Sequence, residues 1–245
     1  MAPSPTLTSV ALTLNTPGVG ATVQATALAT MSNGTTSAIT TGFGGDAAAV
    51  ATVSSSGSVT GVSIGDVTVF VDYQGMRGTS RIHVLPNYSG IFIGTYTIDS
   101  CVDSGGIHDT GFCDTFTVGR SLPIGLNNTQ SNTLTSVVGQ FALGSLVGSA
   151  NGTVSNGGEL TYSGVFTSGT LKIDLQNLVA TSPAVGQMAG HFTQLWTDTT
   201  LTGAGTLQCT LVGVVRTSGG AALAAMPGGA PLRLADAFRA ALIRR

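Results

Sequence analysis

The sequence predicts an all-β protein, an expectation that rests on its composition, its residue alternation and its turn spacing. Only 8% of the 245 residues are charged, against about 25% in an average globular domain. Thr, Ser, Val and 35 glycines fill the difference, with a single Glu (Glu159) and a single Lys (Lys172). Thr and Val lose rotamer freedom in a helix and Gly costs about 1 kcal/mol there relative to Ala, so short strands joined by tight turns are the expected outcome. Hydrophobic residues reach 42% and recur at strand spacing, which separates the chain from a Gly/Ser-rich disordered segment. The length suits two domains of about 100 to 130 residues.

The clearest alternation runs through Val67, Val69, Val71 and Tyr73 on one side and Thr68, Phe70 and Asp72 on the other, the period of two of a strand with one buried face. Around it, Ala49 to Pro86 reads as strand, Ser/Gly turn, strand, Gly-Asp turn, long strand, Gly turn, strand. Upstream, Leu7–Leu14 and Val23–Ala29 read as two further strands. The run AVATVSSSGSVTGVSIGDVTVFVDYQGMRGTSRIHVLP resembles the C-terminal half of the bacterial immunoglobulin-like domain, group 2. The segment Val19 to Ala27 is similar to that family's early "VGxTxQLTATAT" run. The resemblance covers residues 6–86 and implies a β-sandwich that serves as a spacer or adhesion unit in a surface or secreted bacterial protein. A Trp that the family carries ahead of "VATV", as a plug between the sheets, corresponds here to Phe43. Val53, Val69, Val71 and Val84 are expected to share its core in a seven-stranded sandwich.

A second module is expected over residues 88–217. Its strands are drawn as Gly90–Ser100, Leu122–Gln130, Thr133–Ala142, Ser145–Val154, Leu160–Thr167, Thr170–Leu178, Gly186–Trp196 and Thr206–Arg216. Short joints such as Ser131-Asn132 and Ser168-Gly169 make sequential neighbours antiparallel. Eight such strands hide their edges by closing into an up-and-down barrel, first strand on last; a second sandwich is the alternative. Gly90-Ile91-Phe92 followed by Gly94-Thr95-Tyr96 is faintly similar to the start of lipocalin- and avidin-like barrels. Residues 218–245 read as a small-residue linker and, from Pro231, an amphipathic helix with Leu234, Phe238 and Leu242 in one stripe. That helix carries Arg233, Arg239, Arg244 and Arg245, and either docks on a partner or an anionic surface, folds back on the barrel or is weakly ordered.

The net charge of −2 and the lack of a basic patch over the first 220 residues give no footprint for nucleic acid. No run of 18 apolar residues exists to span a bilayer as a helix. Met1 to Pro5 reads as a flexible leader without the charged start and apolar stretch of a signal peptide, so an exported protein requires that its signal lies elsewhere.

Few residues invite a chemical role. Gly61-Val62-Ser63-Ile64-Gly65 matches the nucleophile-elbow pattern, but that elbow needs a helix after the Ser and here a strand follows; His83 is expected to face solvent. The polar segment from Asp99 to Asp114 holds Cys101 and Cys113, read as a disulfide staple for an exported loop. A metal site from Cys101, His108, Cys113 and an Asp is the alternative, at a spacing foreign to zinc and calcium motifs. Cys209, between Leu207 and Leu211, reads as a buried inert thiol. His108, Asp109, His191 and Trp196 are the candidate ligand-facing residues; the opposite parity of His191 and Trp196 puts only one of them inside a regular strand's barrel face. The expected function is a non-enzymatic envelope or secreted protein without cofactor or catalytic residue, its second module binding a cell-surface, glycan or small apolar ligand. A lipocalin-like binder of small apolar molecules and an accessory module of a secreted hydrolase are the rivals.

Overall fold

The computed structural model describes residues 4–144 and 146–217. The helix expected from Pro231 and the start of the leader lie outside the described residues. The described chain is all-β and falls into two compact units, the first up to Asn87 together with Asn132–Leu134 and Asn156–Gly158, the second formed by the rest from Tyr88 onward.

The N-terminal unit holds nine short strands: β1 (Leu7–Thr13), β2 (Thr22–Gln24), β3 (Thr26–Met31), β4 (Thr36–Ile39), β5 (Phe43–Gly45), β6 (Ala51–Val53), β7 (Ser58–Gly61), β8 (Gly65–Tyr73) and β9 (Met76–Val84). They form three antiparallel sheets, β1-β3-β4, β2-β7-β6 and β5-β8-β9, nine strands in place of the seven expected. The single strand expected over Val23–Ala29 is in fact two. The chain breaks at Ala25, whose amide donates to Gly57 O (2.8 Å), so that β2 pairs with β7 while β3 pairs with β1 and β4. Alternation alone could not register this, because the small residues Ala25, Ala27 and Ala29 stay buried across the change of sheet. One core joins all three sheets: the three alanines and Ile39 meet Phe43, Val59, Val69, Val71 and Val84. Val53 is half-buried at its margin. The segment after Pro17 runs parallel between two strands, Val19 N donating to Leu85 O and Gly20 N to Gly61 O (both 2.9 Å).

The second unit is a closed eight-stranded antiparallel barrel. Its strands are β10 (Gly90–Asp103), β11 (Ser121–Gln130), β12 (Ser136–Leu143), β13 (Leu146–Val154), β14 (Leu160–Ser168), β15 (Leu171–Thr181), β16 (Gln187–Asp198) and β17 (Gly205–Arg216). First and last strands pair from Phe92↔Arg216 to Asp103↔Gly205, which removes both edges. The third strand begins at Ser136 rather than Thr133. The turn before it is longer than two residues, with Leu134 at φ 61° and Ser131 N closing on Ser136 O (2.9 Å).

Large side chains fill the barrel: Phe92, Tyr96, Phe141, Tyr162, Phe192 and Trp196 are each at most 2% exposed. Glycines stand opposite them where strands coil closely. A Cβ on Gly164 would fall 2.6 Å from Ser149 O and 2.8 Å from the Phe141 ring. This is the size at which an eight-stranded interior is just filled by its own side chains.

Candidate functional site

The two barrel ends are built differently. At one, Tyr88 is buried just ahead of β10 and its hydroxyl donates to Ala180 O on β15 (3.4 Å). Its amide donates to Gln130 Oε1 (2.7 Å), and Tyr162 OH donates to Asn128 Oδ1 (2.8 Å). Asn128 is 3% exposed, and among the described residues its Nδ2 has no hydrogen-bond partner, a costly state for a buried donor.

At the other end the β10–β11 connection folds into a plug. Where the sequence reads as a polar, stapled loop, the structure has two single-turn helices, α1 (Gly105–His108) and α2 (Phe112–Thr115). Gly105 (φ 58°) and Gly111 (φ 71°) supply left-handed backbone ahead of the turns, a conformation that favours glycine. Ile107, Phe112 and Phe116 are buried, and the two rings cluster with Trp196, their centroids 5.8 Å (Phe112) and 5.0 Å (Phe116) from it. The plug is also tied to the β16–β17 connection, Ile107 N donating to Thr202 O (3.2 Å) and Ser104 N to Ala204 O (3.0 Å). These three apolar residues were missed in the sequence. Their signal is faint: Phe112 and Phe116 share an i, i+4 spacing in a stretch otherwise read as polar.

A disulfide joins Cys101 at the end of β10 to Cys113 in α2, with Cα atoms 5.7 Å apart. Both sulfurs are thereby committed, so no thiolate is left there for a metal, and among the described residues no cluster of three His, Cys, Asp or Glu is placed to hold one. Asp103 reinforces the staple. Its carboxylate, with the side chain 10% exposed, accepts from His108 Nδ1 (2.8 Å) and from Cys113 N (3.0 Å). The bond to His108 and the Cys113 amide hold the Asp103 carboxyl below the usual carboxylate range, and the bond to Asp103 raises His108.

The candidate ligand-facing residues do not converge. His108 and Asp109 lie on the outer side of the plug and are exposed. Trp196 lies beneath it, its Nε1 donating to Gln194 Oε1 (3.0 Å). His191 points outward from β16 and is exposed, while its neighbour Phe192 points in, edge-on to Tyr96. Cys209 is buried, with Gln194 Nε2 3.6 Å from its Sγ, and burial pushes its thiol up to about 12, out of the reactive range. In the N-terminal unit, Ser63 Oγ donates to Ala49 O (2.7 Å). His83, expected to face solvent, is half-buried, with Nδ1 2.9 Å from Asp66 Oδ1. Ser63 therefore hydrogen-bonds main chain, and His83 pairs with a carboxylate rather than with a nucleophile.

No family model matches the chain, and no curated protein does. Among solved structures, surface layer protein SbsC (domains 1–6) aligns over 90% of this chain and 41% of its own, at 14% identity and a TM-score of 0.29. The chain thus spans less than half of that protein's length, and the score is too low to define a shared fold.

Proposed function

We propose that the chain is an exported, non-enzymatic bacterial envelope protein, in which residues 6–86 act as an immunoglobulin-like spacer and the barrel carries the binding face. The observation that carries this reading is the Cys101–Cys113 staple across the barrel plug, since such bonds persist in oxidising compartments. The outer barrel wall supports a water-facing module. On β13 and β14 the outward Ser149, Asn151, Thr153, Thr161, Ser163 and Thr167 are exposed, interrupted by Val165, and Val138, Val212 and Val215 are exposed on other strands, a mixed polar and apolar face rather than a membrane barrel's continuous apolar band. No helix among the described residues is long and apolar enough to cross a membrane.

The binding face on this reading is the stapled segment, which presents His108 and Asp109 to solvent, and its partner is a glycan or protein of the cell surface. The rival, a small apolar ligand inside the barrel, meets an interior already occupied by Phe141, Tyr162, Ile173 and Leu207, each fully buried. Native mass spectrometry of the chain purified from its host's cell fractions tests both readings. The expected result is a bare, oxidised chain in the envelope or secreted fraction. A retained small-molecule adduct would favour the rival, and a cytosolic chain with reduced Cys101 and Cys113 would overturn export.

A further inference from the structure

The plug holds an aromatic ring in a slot cut for one. Gly205 on β17 has no side chain, and a Cβ there would stand 2.5–2.7 Å from three atoms of the Phe112 ring. Phe112 thus lies directly on the strand, with the Phe116 ring 4.7 Å away and Trp196 beside both. The residue that fills the slot is chemically adjacent to the latch, because Cys113 follows Phe112. Both cysteines are half-buried. The left-handed glycines Gly111 and Gly119 (φ 84°) bound the segment that carries Phe112, which is where a segment turns with least strain.

We propose that Cys101–Cys113 is a redox latch on an aromatic-binding slot, which the chain's own Phe112 occupies while the bond is intact. A dithiol opens it. Two electrons and two protons pass to the S–S bond, which breaks into two thiols, while the dithiol closes into its own disulfide. Phe112 then leaves the floor formed by Gly205 and Trp196, and a planar, uncharged aromatic ring takes its place. This inference goes beyond the proposed function and does not depend on export.

Trp196 is the chain's single Trp, so its fluorescence reports on the slot alone. The full chain is compared oxidised and after dithiothreitol, with alkylation and mass mapping to confirm the bond's state and far-UV circular dichroism to follow the barrel. On reduction, acrylamide quenching of Trp196 is expected to rise severalfold with the barrel signal unchanged. The uncharged dye phenylnaphthylamine is expected to bind with energy transfer from Trp196. The oxidised Phe112→Ala variant should bind the dye without reduction, and adding Gly205→Val should abolish that binding. A reduced wild type whose Trp196 stays shielded and dye-free overturns the latch. A folded, oxidised Phe112→Ala that ignores the dye overturns the slot. Loss of the barrel signal in both the reduced chain and the variant makes the plug structural, and overturns both.

Discussion

The two units solve the same problem, an all-β core, with different proportions of aliphatic and aromatic residues. The N-terminal core is Ala, Val and Ile around one buried aromatic, Phe43, with Tyr73 at its margin. The barrel core adds several large rings, Phe92, Tyr96, Phe141, Tyr162, Phe192 and Trp196, to its Leu and Ile, with glycines close to some of them. The difference follows from geometry. Sheets that lie face to face close their gap with small and β-branched side chains interdigitating. A ring of eight strands encloses a fixed width that needs large side chains to span it. It also needs positions without side chains where neighbouring strands approach, as at Gly152, where a Cβ would run into Thr161 O. Loss of a large residue should therefore be local to one unit, and the plug is where the barrel adds a covalent bond to its packing.

The largest expected effect is in the smaller core. Phe43→Ala should destabilise the N-terminal unit by about 3–5 kcal/mol, as large-to-small core changes do. In a urea titration, Trp196 fluorescence should report an unchanged barrel while circular dichroism shows an early transition. A cost under roughly 1 kcal/mol would show that Phe43 is peripheral and the comparison mistaken.

Next comes the staple. Replacing both Cys101 and Cys113 by Ala should remove about 3 kcal/mol from the barrel, on the chain-entropy view of a loop this size. Peptide mapping without reduction should find Cys209 as the free thiol in the wild-type chain. A bond from Cys209 to either partner would contradict the register of β10 on β17. Gly205→Ala probes the same end through packing. Its Cβ collides with Phe112, and overpacking of this kind costs about 1–3 kcal/mol; a neutral result would mean that Phe112 can shift freely.

Smaller effects test the polar features. Ser63→Ala removes one exposed hydrogen bond to Ala49 O and should change stability by about 0.5 kcal/mol or less, with no hydrolytic activity lost. Robust hydrolysis abolished by this variant would sink the non-enzymatic reading. The Asp103–His108 pair should give the plug a shallow pH optimum. Asp103 is held below its ordinary 3.8, so its contribution is present above that pH and is lost as pH falls through the lowered value. His108 is held above 6.5, so its contribution is full below that pH and is lost as pH rises through the raised value. Together they contribute fully between about pH 4 and 6.5. Trp196-detected melting across pH should show this optimum, and His108→Ala should flatten it.

The sequence by itself determined the class, most strand positions and the staple, but it did not place β4 or β5. Alternation is a local signal, so β8 and most barrel strands could be placed to within a few residues from runs such as Val67 to Tyr73. Turn length is local too, which is why neighbouring barrel strands were legible as antiparallel. The sheet change at Ala25 was not, because it depends on which distant strand accepts each half, and alanine suits either. Closure of β10 on β17 was one of two outcomes the chain order allowed, and only the tertiary hydrogen bonds selected it. The site was the least legible part. His108 and Asp109 stood out as polar residues, yet the structure puts the weight on Phe112, Phe116 and Gly205. Burial of a loop aromatic depends on what stands across from it, and no spacing in the sequence tells Phe112 that a glycine nearly a hundred residues away leaves room for its ring.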